Sequence, residues 1–263
     1  MNFRTMSGMM GLLMKVPNNE IRILMYHRVN PATQLTDPHI NVTPQQFDSQ
    51  MEWLNKHNWK VISLDNALQQ LSNSHIEQKH QVVLTFDDGY RDNFDHAFPN
   101  LKKYGFPATI YLVSDRIDND PEFLTLHQIR IMQEHGVTFG AHTLTHPVLT
   151  SIDDSLAWNE IEGSRNDLEA KLGVPVKHFA YPKGWFNAIH EQMLQRAGFM
   201  SGMSVAPGGN TTASDKWALR RTEIALKDTM LDFKLKLRGG FDWKHKLIQI
   251  KQGLYPLPRS VHS

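Results

Sequence analysis

The sequence predicts an α/β fold whose seven or so strand–helix units suit a closed or partly closed parallel barrel, with an open doubly wound sheet as the alternative. Three observations predict it. Short apolar runs alternate with helical patterns from residue 22 to residue 224. No repeat, low-complexity tract or Pro/Ser linker divides the chain, which argues for one domain. Polar residues suited to chemistry stand just past apolar runs, where the βα loops of such folds gather a site.

The first strand is 22–27, Arg-Ile-Leu-Met-Tyr-His. Thr43-Pro44-Gln45-Gln46 then opens a helix to about residue 57, with Thr as N-cap, Pro at the first helical position and Gln at N3. A short strand at 59–63 and a helix at 65–72 follow. Residues 81–86, Gln-Val-Val-Leu-Thr-Phe, read as a buried strand stopped by Asp87-Asp88-Gly89. Next come a helix at 93–104 despite Pro99, a strand at 108–113, a helix at 125–135 and a strand at 137–141. The longest helical pattern is 153–172, with Ile161, Leu168 and Leu172 on one face and Gly173 as its C-cap. A strand at 176–181, a helix at 190–197, a strand at 199–205 and a last strand at 219–224 complete the series.

Composition bounds the chemistry. The 263 residues are 40% hydrophobic and 21% charged, as expected of a folded chain with a full core. Lys and Arg (28) nearly balance Asp and Glu (27), so there is no basic field to hold nucleic acid. The absence of cysteine excludes disulfides, thiol nucleophiles and Cys-ligated metals, leaving His, Asp and Glu as ligands, and there are 14 His. No apolar run reaches the roughly 18 residues that span a bilayer. Residues 1–20 read as a leader whose Met/Leu-rich stretch grazes a membrane, a weak signal peptide being the other reading.

Three strand ends carry unusual polar residues. At Thr85-Phe86-Asp87-Asp88-Gly89-Tyr90, two adjacent carboxylates repel, and a divalent metal taking one of them would relieve the conflict and leave the other as a base. An ordinary solvated Asp-Gly turn is the plain alternative. At His142-Thr143-Leu144-Thr145-His146-Pro147, two His four apart would meet on one side of a helical turn and share a metal. Of the 14 His, only these two stand four apart, and they follow an apolar strand. At Phe179-Ala180-Tyr181-Pro182-Lys183-Gly184, a strand ends in a Pro/Gly turn whose N–H groups can face a cleft, although such loops are common.

Taken in order, these segments resemble the polysaccharide deacetylase family, the carbohydrate esterase family 4 type with the NodB-homology domain. Thr85-Phe86-Asp87-Asp88-Gly89 matches the first motif of that family and His142-Thr143-x-x-His146 the second. Met25-Tyr26-His27-Arg28-Val29 and the segment 105–111, Gly-Phe-Pro-Ala-Thr-Ile-Tyr, look like the branch acting on poly-β-1,6-N-acetylglucosamine. The resemblance spans residues 21–226, flanked by the 1–20 leader and a 227–263 extension, and it implies a distorted (β/α)7 barrel as a single domain. It further implies that Asp88, His142 and His146 bind a divalent metal, zinc first with nickel or cobalt acceptable, and that Asp87 is the general base. Such a metal keeps open positions, polarises an acetamide carbonyl and lowers the pKa of bound water to about 7.

The chain also departs from the family. Its third motif, R-x-P-[YF], aligns with Ala180-Tyr181-Pro182-Lys183, so the Arg that orients the base is missing, and the C-terminal Leu-x-His that supplies an acid is not found. Tyr181, Pro182 and Lys183 remain the expected substrate and oxyanion contacts, the Lys183 N–H as donor. Arg221 is a candidate for the missing positive charge there. His27, at the end of the first strand, is the candidate acid, since the related branch uses the His of a Tyr-His-x-Val segment.

The expected activity is removal of N-acetyl groups from an amino sugar of a bacterial surface polysaccharide or glycolipid precursor, with an N-acetylated glycan or lipid-linked saccharide as partner. A catalytically degenerate, metal-retaining carbohydrate-binding barrel is the second reading. A different metal-dependent barrel hydrolase is the third, but its first strand would carry His-x-His, and here it offers only His27. Basic residues interleaved with apolar ones from Lys234 to Lys251 give the extension an amphipathic look suited to an anionic membrane surface, with a helix packed on the barrel as the plainer alternative. The expected location is the cytoplasm, peripheral at the inner membrane.

Overall fold

A computed structural model describes residues 19–31, 37, 39–77 and 80–242. The leader up to residue 18 and the basic stretch beyond residue 242 lie outside the described residues. Strand β1 (Ile21–Tyr26) is buried along its whole length and is followed by a small parallel pair, β2 (Arg28–Val29) and β3 (Asn41–Val42). Helix α1 (Pro44–Lys56) starts at Thr43, whose hydroxyl accepts from Gln46 N while the Gln46 side chain accepts from Thr43 N, the expected capping box. Then come β4 (Lys60–Val61), α2 (Leu64–Ser72) and β5 (Gln81–Phe86), all six of whose residues are buried.

The expected helix at 93–104 is two pieces, a π-helical turn (Asn93–Ala97) leading into α3 (Phe98–Tyr104). Pro99 lies in the first turn of α3, where its missing N–H is tolerated. After β6 (Ala108–Leu112), α4 (Leu126–Gln133) and β7 (Val137–Ala141) comes α5 (Asp154–Leu172), capped by the Asp153 carboxylate and ended by Gly173 at φ 70°. β8 (His178–Ala180), α6 (Ala188–Arg196) and β9 (Ser201–Met203) complete the units, followed by β10 (Gly209–Asn210), β11 (Thr222–Glu223) and α7 (Met230–Leu237).

The main sheet runs β10-β1-β5-β6-β7-β8-β9. All its central pairings are parallel, in register Tyr26↔Phe86, Phe86↔Ile110, Leu112↔Ala141, Ala141↔Phe179 and Ala180↔Met203. The sheet curls until residues 219–223 meet both edges. Leu219 bridges Met203 of β9, while Thr222 and Glu223 pair with Leu24 and Met25 of β1. This is the expected distorted barrel, and the C-terminal ends of β1, β5, β6, β7 and β8 come together at its mouth.

The extension expected from residue 227 belongs in part to the body. Phe233, Leu235 and Leu237 of α7 are buried, and the Phe233 ring lies edge-on to Trp53 of α1, with centroids 6.2 Å apart. Its lysines are engaged locally, Lys234 over the Trp53 ring at 5.4 Å and Lys236 on the Glu223 carbonyl at 2.7 Å. A packed helix is therefore the right account of 230–237. No helix of the described residues is long and apolar enough to cross a membrane.

Candidate active site

The two adjacent carboxylates at the end of β5 are separated by the backbone. Asp87 N continues the sheet by donating to the Tyr26 carbonyl at 2.9 Å, and the chain then turns through left-handed conformations at Asp88 (φ 72°) and Gly89 (φ 80°). The left-handed φ at 89 favours glycine, and a side chain there would also push the Leu112 Cδ2 methyl, 2.6 Å from the ideal Cβ. Asp87 is buried against Arg221, and Asp88 is half-buried beside His142 and His146.

His142 follows β7 directly and is buried. Its Nδ1 lies 2.7 Å from the Ala180 carbonyl, which fixes Nδ1 as the protonated nitrogen and leaves the Nε2 lone pair free. His146 Nε2 is 3.2 Å from His142 Nε2, and Asp88 Oδ1 is 3.5 Å and 3.3 Å from the two. The segment 142–146 is not the expected helical turn. Thr143 (φ 68°) and His146 (φ 69°) are left-handed, Thr143 Oγ1 accepts from His146 N, and the Glu160 carboxylate accepts from Leu144 N, Thr145 N and the Thr145 hydroxyl. The spacing of four brings the rings together through a loop anchored to α5.

These three residues pass the test of a metal site on their own chemistry. One ligand atom from each of Asp88, His142 and His146 lies within 4.8 Å of the others. Burial, then the neighbouring His142, pushes the His146 imidazole down to about 4, so at neutral pH it offers a lone pair rather than a proton. Two imidazoles converging on a carboxylate are a cation's ligand set.

Arg221 is fully buried. Its guanidinium donates to Asp87 Oδ1 at 2.6 Å and Oδ2 at 2.7 Å, while Nε donates to the Ser204 carbonyl at 2.9 Å. The conflict between the paired carboxylates is thus relieved at Asp87 by Arg221. Burial alone would raise the Asp87 carboxyl, but Arg221, His142 and His27 together outweigh it and hold the group well below the usual range. Arg221, read from the sequence as the candidate for the missing positive charge, lies buried against Asp87 and is not among the residues that line the cleft.

The third strand end is corrected as well. Tyr181 points into the core, its hydroxyl donating to the Trp217 carbonyl at 3.0 Å and its ring stacked on Phe186 at 4.1 Å, and Pro182 is buried. Neither lines the cleft. Lys183 does, held at φ 58°. The cleft holds about 240 Å³ and is shared by His27, Asp87, Asp88, His142 and His146. His27 comes from the end of β1, its carbonyl accepting from Asn93 Nδ2 at 2.8 Å and its buried Nδ1 finding no hydrogen-bond partner among the described residues. Sequence reasoning missed Tyr90 and Phe123, aromatic side chains on the wall of this cleft. The position of Tyr90, two residues after Asp88, was the available signal.

Behind the cleft, Asp92 accepts from Val29 N at 2.9 Å and from Asn93 Nδ2 at 3.0 Å. Burial pushes its carboxyl up to about 6, against the pull of the Val29 N–H and Arg28. The folded chain thus binds this proton more tightly than the unfolded chain, so its contribution is present at pH 4 and fades as pH rises through 6. The Asp92 contribution is expected to fall by about 2 kcal/mol between pH 4.5 and 7.5, and Asp92→Asn to flatten that slope. Urea midpoints at pH 4.5 and 7.5 check it, and equal slopes in both proteins would contradict it.

Residues 75–202 match the polysaccharide deacetylase family model. Over 253 residues the chain is 26% identical to the poly-β-1,6-N-acetyl-D-glucosamine N-deacetylase of Staphylococcus epidermidis, covering 87% of this chain and 86% of that one. Among solved structures it resembles the Streptococcus pyogenes deacetylase PplD in complex with acetate, with TM-score 0.78, 27% identity and coverage of 84% and 99%. It shares the fold of IcaB from Ammonifex degensii, with TM-score 0.73, 22% identity and coverage of 84% and 97%.

Proposed function

We propose that this chain, whose residues 75–202 match the polysaccharide deacetylase family model, is an amide-hydrolysing sugar deacetylase and, more closely, a metal-dependent N-deacetylase acting on N-acetylglucosamine units of a surface polysaccharide. One observation carries the reading: Asp88, His142 and His146 converge beside a second carboxylate, Asp87, in one cleft. In this reading the three hold a divalent ion, zinc first, which when bound supplies Lewis acidity toward the acetamide and a more acidic water.

The chain's own groups divide the remaining work. Asp87, kept ionised and fixed by both guanidinium bonds, accepts the proton of the attacking water through its remaining lone pairs. Arg221 positions it and touches no substrate. Lys183, at the cleft edge, presents its backbone N–H to the oxyanion. Expulsion of the sugar amine needs a proton, because an amine leaves poorly until protonated, and His27 delivers it. His27→Ala is expected to keep the metal, lower the rate about 10²-fold and remove the fall in rate at high pH. A normal rate with an unchanged alkaline limb would reassign that proton. Acetate release from a panel of N-acetylated saccharides, before and after metal removal, tests the function itself; no release from any of them would refute it.

A further inference from the structure

The two imidazoles that converge on Asp88 are held in different ways. His142 stands at the end of β7, its N donating to the Leu112 carbonyl at 2.9 Å and its Nδ1 bonded to the Ala180 carbonyl, so that backbone and ring are both fixed. The His146 ring touches only His142 and Asp88 through Nε2, and its Nδ1 has no hydrogen-bond partner among the described residues. Its place therefore depends on the backbone beneath it. That backbone is left-handed at Thr143 and again at His146, a conformation that residues with a Cβ keep only where their surroundings impose it.

The surroundings act from two sides. On one, the Thr143 and Leu144 carbonyls accept from Ser114 N at 3.3 Å and Asp115 N at 3.1 Å, just past β6. On the other stands α5, whose half-buried Glu160 accepts from Leu144 N at 2.9 Å and Thr145 N at 3.0 Å through Oε2, and from the Thr145 hydroxyl at 2.7 Å through Oε1. Both oxygens are spent on this one loop. Three residues on, and so on the same helix face, Gly163 leaves room for Leu144, since an ideal Cβ there would lie 2.8 Å from Leu144 Cδ1. The loop is thus seated on α5 by a carboxylate that grips its N–H groups and a notch that receives its apolar side chain. Glu160 itself does not line the cleft. We propose that Glu160 is a positioning residue for the metal site: by bonding Leu144 and Thr145 it holds His146 where that ring, His142 and Asp88 share one ion, and so sets metal affinity from outside the cleft. The inference rests on the metal-dependent reading and adds to it the residue that makes the third ligand available.

The test is the zinc affinity of the full chain, measured by competition with a chelating dye. Glu160→Gln keeps size and helix propensity but turns an amide N–H toward the loop's donors, and it is expected to weaken zinc binding about tenfold. Glu160→Ala removes both acceptors and is expected to cost at least as much. Glu162→Ala deletes a neighbouring carboxylate of the same helix and is expected to leave the affinity unchanged. A double-mutant cycle separates positioning from a general effect. Because Glu160 acts through His146, adding Glu160→Gln to His146→Ala, with zinc carried into the millimolar range, is expected to cost less than about twofold. Wild-type affinity in the Glu160 variants would overturn the proposal. So would an equal loss with and without His146, or a loss matched by Glu162→Ala, either of which marks a general effect of the helix or its charge. Should Glu160→Ala not fold, Glu160→Gln decides alone. If wild type itself bound no zinc, the metal-dependent reading would fail and this proposal with it, whereas unaltered Glu160 variants beside a zinc-binding wild type would overturn the proposal alone.

Discussion

Asp87→Asn is expected to lower acetate release by about 10²-fold or more while bound metal stays at the wild-type level. The substitution keeps the shape of the side chain, and the amide oxygen can still accept one N–H from Arg221. What it removes is the charge that takes a proton from the attacking water. Asp87 lies next to Asp88 in sequence, yet the left-handed turn at Asp88 gives the two carboxylates different neighbours, so the loss at one need not unload the other. Paired assays of acetate release and metal content check this. Unchanged turnover would make Asp87 a structural ion-pair partner only.

Arg221→Met is expected to be the most destabilising single change in the site. Asp87 and Arg221 are both buried and paired through two hydrogen bonds. Removing the cation strands a buried carboxylate, which typically costs about 3–5 kcal/mol. The double variant Asp87→Asn/Arg221→Met carries neither charge and should recover much of that loss, since a buried pair replaced as a unit is often near neutral. Denaturant midpoints of the two singles and the double give the coupling. Strictly additive effects would show that the pair does not act as a unit.

Much of this was legible in the sequence where local rules and global packing agree. The Thr43 capping box, the apolar 81–86 run ending in Asp87-Asp88-Gly89 and the Gly173 cap each stand where their residues put them, because each is fixed within a few positions of the chain. The order of strand-end motifs located Asp88, His142 and His146 correctly in one cleft, although the loop that joins the two His was misread as a helical turn. Left-handed Thr143 and His146 leave no mark in hydrophobic periodicity. Two further features are of longer range. Arg221 is legible as the candidate for the missing positive charge, but its pairing with Asp87 across 134 residues, brought about by barrel closure at residues 219–223, leaves no mark near either residue. Tyr181 stands beside the expected turn in sequence, but a ring contact with nearby Phe186 and a hydrogen bond to Trp217, 36 residues away, turn it inward.

The metal is the center of the account, and its stoichiometry is the most direct test. Purified chain, stripped with chelator and titrated with zinc, is expected to bind one ion tightly and to regain acetate release in proportion to the ion bound. His142→Ala is expected to lose both. Full activity in the stripped protein, or no divalent ion bound at micromolar concentration with all three ligands intact, would contradict it.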